Sequence, residues 1–185
     1  MIANNTAMNM SWRNRRSNAQ GQLFENQIMA ACAHYEATRR AFIEKTPEPF
    51  RALKIEEGGK FQGRFTKHAQ PDFKGTLFGG RAIVFEAKMT MQDRLKMSVL
   101  TQAQEQALNR HASLGAVAAV CIGIQYEFFF VPWKFWIARK RLGTKKSFTA
   151  NDLQALKIKF DGAVRFLDYA GGSTVERDER ELFRW

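Results

Sequence analysis

Hydrophobic residues fall into a helical rhythm between Gly21 and Ala41. Phe24, Ile28, Ala31 and Tyr35 recur at i, i+4, i+7 and i+11 and so share one face. Thr46-Pro47-Glu48-Pro49 ends any such helix, because proline lacks an amide donor and restricts the residue before it. Phe50 to Ile55 (FRALKI) then alternates as a strand does. Glu56 to Lys67 (EEGGKFQGRFTK) carries three glycines and interleaves basic with aromatic residues, which predicts a protruding hairpin or loop.

Gln70 to Gly80 reads as strand, turn and glycine pair. In Arg81 to Lys88 (RAIVFEAK), a clear strand, Ile83, Phe85 and Ala87 point to one side and Val84, Glu86 and Lys88 to the other. A helix is expected over 98–112. Ala116 to Ile124 (AVAAVCIGI) is almost continuously apolar, as in a strand covered on both faces. Tyr126 to Trp133 follows as a further strand, antiparallel by its short link. A basic loop from Arg139 to Lys146, a short helix from Ala150 to Leu156 and a last strand from Ala163 to Tyr169 complete the order. The reading is an α/β fold with a mixed central β-sheet flanked by helices.

The 185 residues suit one domain, placed at 20–172. Residues 1–19 read as a flexible basic arm and 173–185 as a charged tail. Twenty-nine Lys and Arg against eighteen Asp and Glu leave a net charge of +11, which points to a polyanionic partner, nucleic acid first. A membrane is excluded: the longest apolar stretch, Leu114 to Ile124, is about half the roughly 20 residues a spanning helix needs. The N-terminus has no apolar run of the secretory kind. Cys32 and Cys121 lie within Ala/Val/Ile-rich runs and read as buried thiols in a reducing compartment. His34, His68 and His111 have no metal-ligand spacing, which argues against zinc.

The candidate chemistry lies in Asp72, Glu86 and Lys88. If the strands carrying Asp72 and Glu86 pair through the Gly75–Gly80 turn, two carboxylates and an ammonium converge at one end of the sheet. Carboxylate oxygens suit Mg²⁺, which keeps several of its waters. Such a cation activates water and offsets charge on a phosphate, while Lys88 orients the attacking water or stabilises the transition state. Glu-x-Lys alone is also compatible with an exposed ion pair. Its context, a Pro-Asp fourteen positions upstream in a basic chain, favours a site.

Pro71-Asp72, Glu86-Ala87-Lys88 and Gln104 together resemble the PD-(D/E)XK nuclease motif, and the wider frame resembles the RecU family of Holliday junction resolvases. Gly21 to Ile28, Lys45-Thr46-Pro47-Glu48-Pro49, Asp72-Phe73-Lys74-Gly75, Gly80-Arg81, Phe85 to Thr90, Phe135-Trp136, Lys145-Lys146-Ser147 and Asp168-Tyr169 match family landmarks in order, over about residues 20 to 170. There are departures. Gln70-Pro71 stands where a threonine pair is common, Ala103-Gln104 where the family has His-Gln, and Glu56 to Lys67 is shorter than the family's stalk. The resemblance implies a restriction-endonuclease-like core with a basic stalk at 56–67. It makes Asp72 and Glu86 ligands of Mg²⁺, with Mn²⁺ a possible substitute, and Lys88 the residue that positions water. Glu25 would act through an outer-shell water, and Gln104 would orient the lysine or the water.

Phosphate contacts are expected from Arg13, Arg15 and Arg16 on the arm, from Lys60, Arg64 and Lys67 on the stalk, and from Lys74. The Arg139 to Lys146 loop could add to them. Trp12, Phe61 and Phe65 are candidates to stack on or wedge between bases. Phe128 to Phe130, Trp133, Phe135 and Trp136 read as core or dimer interface. The resulting expectation is a cytoplasmic endonuclease, of a bacterium or its phage, that nicks four-way DNA junctions as a homodimer. A nuclease for flaps or duplex, and a non-catalytic recombination accessory protein, stay open as alternatives.

Overall fold

The computed structural model describes residues 2–47, 50–55, 61–65, 70–143 and 145–175, and of 2–16, 50–55 and 61–65 the backbone. The first helix, α1 (Ile2–Ala37), is longer than expected. Its backbone continues through the segment read as an arm, which carries Arg13, Arg15 and Arg16. No proline or glycine interrupts residues 2–20, so helical geometry propagates unopposed. The predicted face is buried: Phe24, Ile28, Ala31 and Tyr35 are all shielded from solvent.

The helix also stops sooner than predicted. Arg39 turns the chain with φ of 55°, and β1 (Ala41–Lys45) takes up Ala41, the expected end of the helix, and the four residues after it. Ala41 and Ile43 are buried while Phe42 and Glu44 are exposed, the two-residue period of a strand. β2 (Phe50–Ile55) is a strand as expected, but it pairs with β3 (Phe61–Phe65) in a two-stranded sheet of its own. The hairpin thus starts at Phe50. Its residues Lys60 and Lys67 lie outside the described residues.

The central sheet is built from β1, β4 (Phe73–Leu77), β5 (Ala82–Thr90), β7 (Val117–Ile124) and β8 (Glu127–Pro132), in the order β1-β4-β5-β7-β8. Only the β5–β7 neighbours are parallel. Between them the chain forms β6 (Arg94–Lys96) and α2 (Gln102–Ser113). After β8 comes α3 (Trp133–Leu142), where the sequence suggested the end of a strand and a basic loop. Pro132 ends the strand's donors, and Trp133 and Trp136 then bury one helical ridge. β9 (Ser147–Thr149) pairs with β6, a small sheet not foreseen. The expected short helix is 3-10 over Asn151–Leu156. The last strand, β11 (Val164–Tyr169), joins β10 (Ile158–Phe160) and not the central sheet.

The mixed α/β sheet flanked by helices is therefore as the sequence predicts. One face carries an aromatic ladder. Phe73 stacks on Phe85 at 5.0 Å, and Phe85 meets Phe130 and Phe166 at 5.4 and 4.8 Å. Tyr35 of α1 closes it against Phe166 at 5.1 Å. The C-terminal segment also returns to the body, since Thr174 bridges to Asp168 and Val175 is buried. Both cysteines are buried and unbonded, and burial pushes the Cys32 thiol up to about 12. No helix among the described residues is long and apolar enough to cross a membrane.

Candidate active site

Phe73 of β4 lies opposite Phe85 of β5, so one further step of that register sets Asp72 opposite Glu86. On the other side the Thr46 amide donates to the Asp72 carbonyl at 2.8 Å, setting Thr46 opposite Asp72. Directly opposed residues of antiparallel strands share a face. Thr46, Asp72 and Glu86 therefore form one row, on the face opposite the aromatic ladder. Gly75 allows the row to close up. A Cβ there would run into the Phe42 carbonyl and Ile43, so only glycine lets β1 approach β4 this closely.

Lys88, two residues beyond Glu86, projects to the same face. Its ammonium donates to Asp72 Oδ2 at 3.0 Å and to Glu86 Oε2 at 2.9 Å. The Ala87 amide donates to the same Asp72 oxygen at 2.9 Å, which locks that carboxylate against β5. Gln104 completes the group from α2. Its Nε2 donates to Glu86 Oε2 at 2.5 Å, while its Oε1 accepts from the Thr101 amide at 3.0 Å. Thr101 and Gln104 form a capping box, so the helix's own start orients the amide toward Glu86. The expected helix over 98–112 carries Gln104, but nothing local in the sequence ties it to Glu86.

The Glu86 side chain is fully buried, Lys88 is 17% exposed and Asp72 27%, so the cluster opens to solvent on the Asp72 side. Burial pushes the Glu86 carboxyl up to about 7; Lys88 opposes that rise and Asp72 adds to it. Burial works against the Lys88 ammonium, but Asp72 and Glu86 outweigh it and raise its pKa.

Two buried oxygens on this row have no hydrogen-bond partner, Glu86 Oε1 and Thr46 Oγ1. A buried carboxylate oxygen left unpaired is costly. Together with the oxygen chemistry of Asp72, it fits a hard divalent cation that keeps part of its water shell. Among the described residues no three or more His, Cys, Asp or Glu side chains come together as a metal-ligand group.

Asp72, Glu86, Lys88 and Gln104 are thus brought together. Glu25 is not seen bonded to them. It pairs with Lys45 at 2.6 Å, on the end of β1 next to Thr46. Lys45 and Thr46 were not among the candidates; a contact spanning twenty positions leaves no local signature. Lys74 is exposed on β4, opposite Glu44 and Val84. Phe61, Arg64 and Phe65 fall on β3, Arg64 opposite Arg51. The cations expected in a loop at 139–146 are partly committed. Arg139 and Lys145 pair with Asp152, each at 3.0 Å, and Lys140 with Glu105 at 2.5 Å. Phe128 to Phe130, Trp133 and Trp136 are core, while Phe135 is partly exposed.

Among solved structures the chain resembles Hjc of Archaeoglobus fulgidus, a Holliday junction resolvase from an archaeal hyperthermophile. That match has 16% identity and a TM-score of 0.40, and it covers 62% of this chain and 74% of that one. No curated protein sequence matches. The family model of Recombination protein U, RecU, matches residues 19–171, and the chain belongs to that family.

Proposed function

We propose that this protein is a metal-dependent endodeoxyribonuclease that resolves four-way DNA junctions by paired nicks, serving DNA recombination and repair. The observation that carries the reading is the meeting of Asp72, Glu86 and Lys88 within hydrogen-bond distance on one face of the sheet. Family membership and the chain's net charge of +11 support branched DNA as the substrate.

Asp72 and Glu86 would hold Mg²⁺, or Mn²⁺ in its place. When bound, such a cation supplies Lewis acidity and offsets charge developing on the phosphate. Lys88 orients the attacking water and gives positive charge to the transition state as the phosphodiester bond breaks. Gln104 holds Glu86 in place. Glu25, tied to Lys45, acts from outside the ligand set. Arg13, Arg15, Arg16, Lys60, Arg64, Lys67 and Lys74 contact phosphates, and Phe61 and Phe65 engage bases at the branch point. Two nicks across one junction call for two active sites, hence a two-fold homodimer. The setting is the cytoplasm of a bacterium or of a phage-infected host.

Cleavage of matched four-way junction, flap and linear duplex substrates with Mg²⁺ tests the reading. Symmetric nicks in the junction, with flap and duplex left intact, are expected. Preferred cutting of flaps or duplex would replace the substrate and leave the chemistry. Junction binding with no cutting under Mg²⁺ or Mn²⁺ would favour an accessory protein.

A further inference from the structure

A groove of about 930 Å³ opens beside the first turn of α2, between the small β6–β9 sheet and the C-terminal end of α3. The small sheet explains its charge. Leu95 and Phe148 oppose each other across β6–β9 and are buried, so alternation sends Arg94, Lys96 and Ser147 to the other face, where they line the groove. Lys140, Lys145 and Lys146 line the α3 side, and Glu105 is the one acid among the lining residues. Lys140 is paired with Glu105 and Lys145 with Asp152. Among the described residues Arg94 is paired with its exposed neighbour Asp93 alone. Lys96 and Lys146 have no carboxylate partner among the described residues.

The groove adjoins the site through consecutive residues. Gln104 donates to Glu86, while Glu105 and Gln102 of the same turn line the groove. A strand with one phosphate at Asp72 and Glu86 would have to run past the start of α2 to reach it. Cations along the rims of an open channel, over a floor that includes Met97 and Leu100 and with Ser147 and Gln102 as neutral hydrogen-bonding groups, can take a sugar–phosphate backbone.

We propose that this groove seats the DNA backbone flanking the scissile phosphate, with Lys96 and Lys146 as its free phosphate contacts. The inference rests on the nuclease reading above and adds the path of the bound strand. It is tested with K96A/K146A, K96R/K146R and a control, R110A, at the far end of α2. Binding of a labelled four-way junction is measured in EDTA between 50 and 200 mM salt.

The alanine pair is expected to bind at least about tenfold more weakly, with a salt slope shallower by about 1.8, near 0.9 for each phosphate no longer neutralised. The arginine pair restores both, and R110A stays at the wild-type level. Wild-type affinity and slope in the alanine pair overturn the proposal, as does an equal weakening in R110A. If wild-type protein never cuts and the alanine pair still loses affinity and slope, the nuclease reading fails and the groove stands as a contact to the DNA backbone alone. If wild-type protein cuts junctions and the alanine pair matches its binding, the groove alone fails.

Discussion

Gln104 donates to the buried Glu86 carboxylate at 2.5 Å, and the same side chain caps its own helix by accepting from Thr101. One amide therefore joins the start of α2 to the acid of the site. Thr101→Val is expected to lower cleavage about tenfold without touching Glu86, and to cost roughly 1 kcal/mol because the cap is removed. Thr101→Ser should restore both. Single-turnover cleavage beside thermal unfolding checks this, because a purely structural cap would move only the unfolding.

Lys88 bridges Asp72 and Glu86. Lys88→Met is expected to reduce cleavage by about 10²–10³-fold, the range for losing one positioned donor that stabilises transition-state charge. Junction affinity should stay within a few fold, because this ammonium faces two carboxylates. Parallel cleavage and binding titrations on one preparation check the split.

Gly75 of β4 lies opposite Ile43 of β1, where an added Cβ would meet the β1 backbone. Gly75→Ala is expected to destabilise the fold by at least about 1–3 kcal/mol, since backbone and not a movable side-chain end stands in the way. Denaturant unfolding measures it. Cleavage should fall as well, because the same approach sets Thr46 beside Asp72.

Asp168 ties β11 to the turn after α1 through Arg40, at 2.7 and 3.1 Å, and to α1 itself through the Tyr35 hydroxyl, at 3.1 Å. Burial alone would raise its pKa, but these partners outweigh it and hold the carboxyl below its usual range. The stability it contributes is therefore complete above the unfolded value near 3.9 and is lost as pH falls through the lower folded value. Asp168→Asn is expected to cost about 1–3 kcal/mol at pH 7. It should also flatten the decline in stability below about pH 4, as acid titrations of the two proteins would show.

The legible parts of the chain were those whose signal is local. RAIVFEAK alternates cleanly, and AVAAVCIGI is apolar throughout, so β5 and β7 stood out. Asp72 and Glu86 could be matched because a short glycine turn joins their strands. What escaped depends on distant partners. β1 follows a helix whose apolar phase runs on into Ala41, and only its pairing with β4 marks it as a strand. β6 and β9 lie some fifty positions apart and define each other. In α3 the aromatic residues imitate a strand, and only the burial of Trp133 and Trp136 on one ridge reveals a helix. Lys45 and Thr46 became visible at the site for the same reason, through the register of β1.

The most direct test is cleavage of a four-way junction by wild-type protein and by Asp72→Asn, compared with and without Mg²⁺. Asparagine keeps the shape of Asp72 and removes the charge that Lys88 and a bound cation would share. The account predicts Mg²⁺-dependent symmetric nicking by the wild type and a reduction of at least about 10²-fold in the variant, with junction binding retained. Full Mg²⁺-dependent cleavage by Asp72→Asn, in a preparation free of contaminating nuclease, would contradict it.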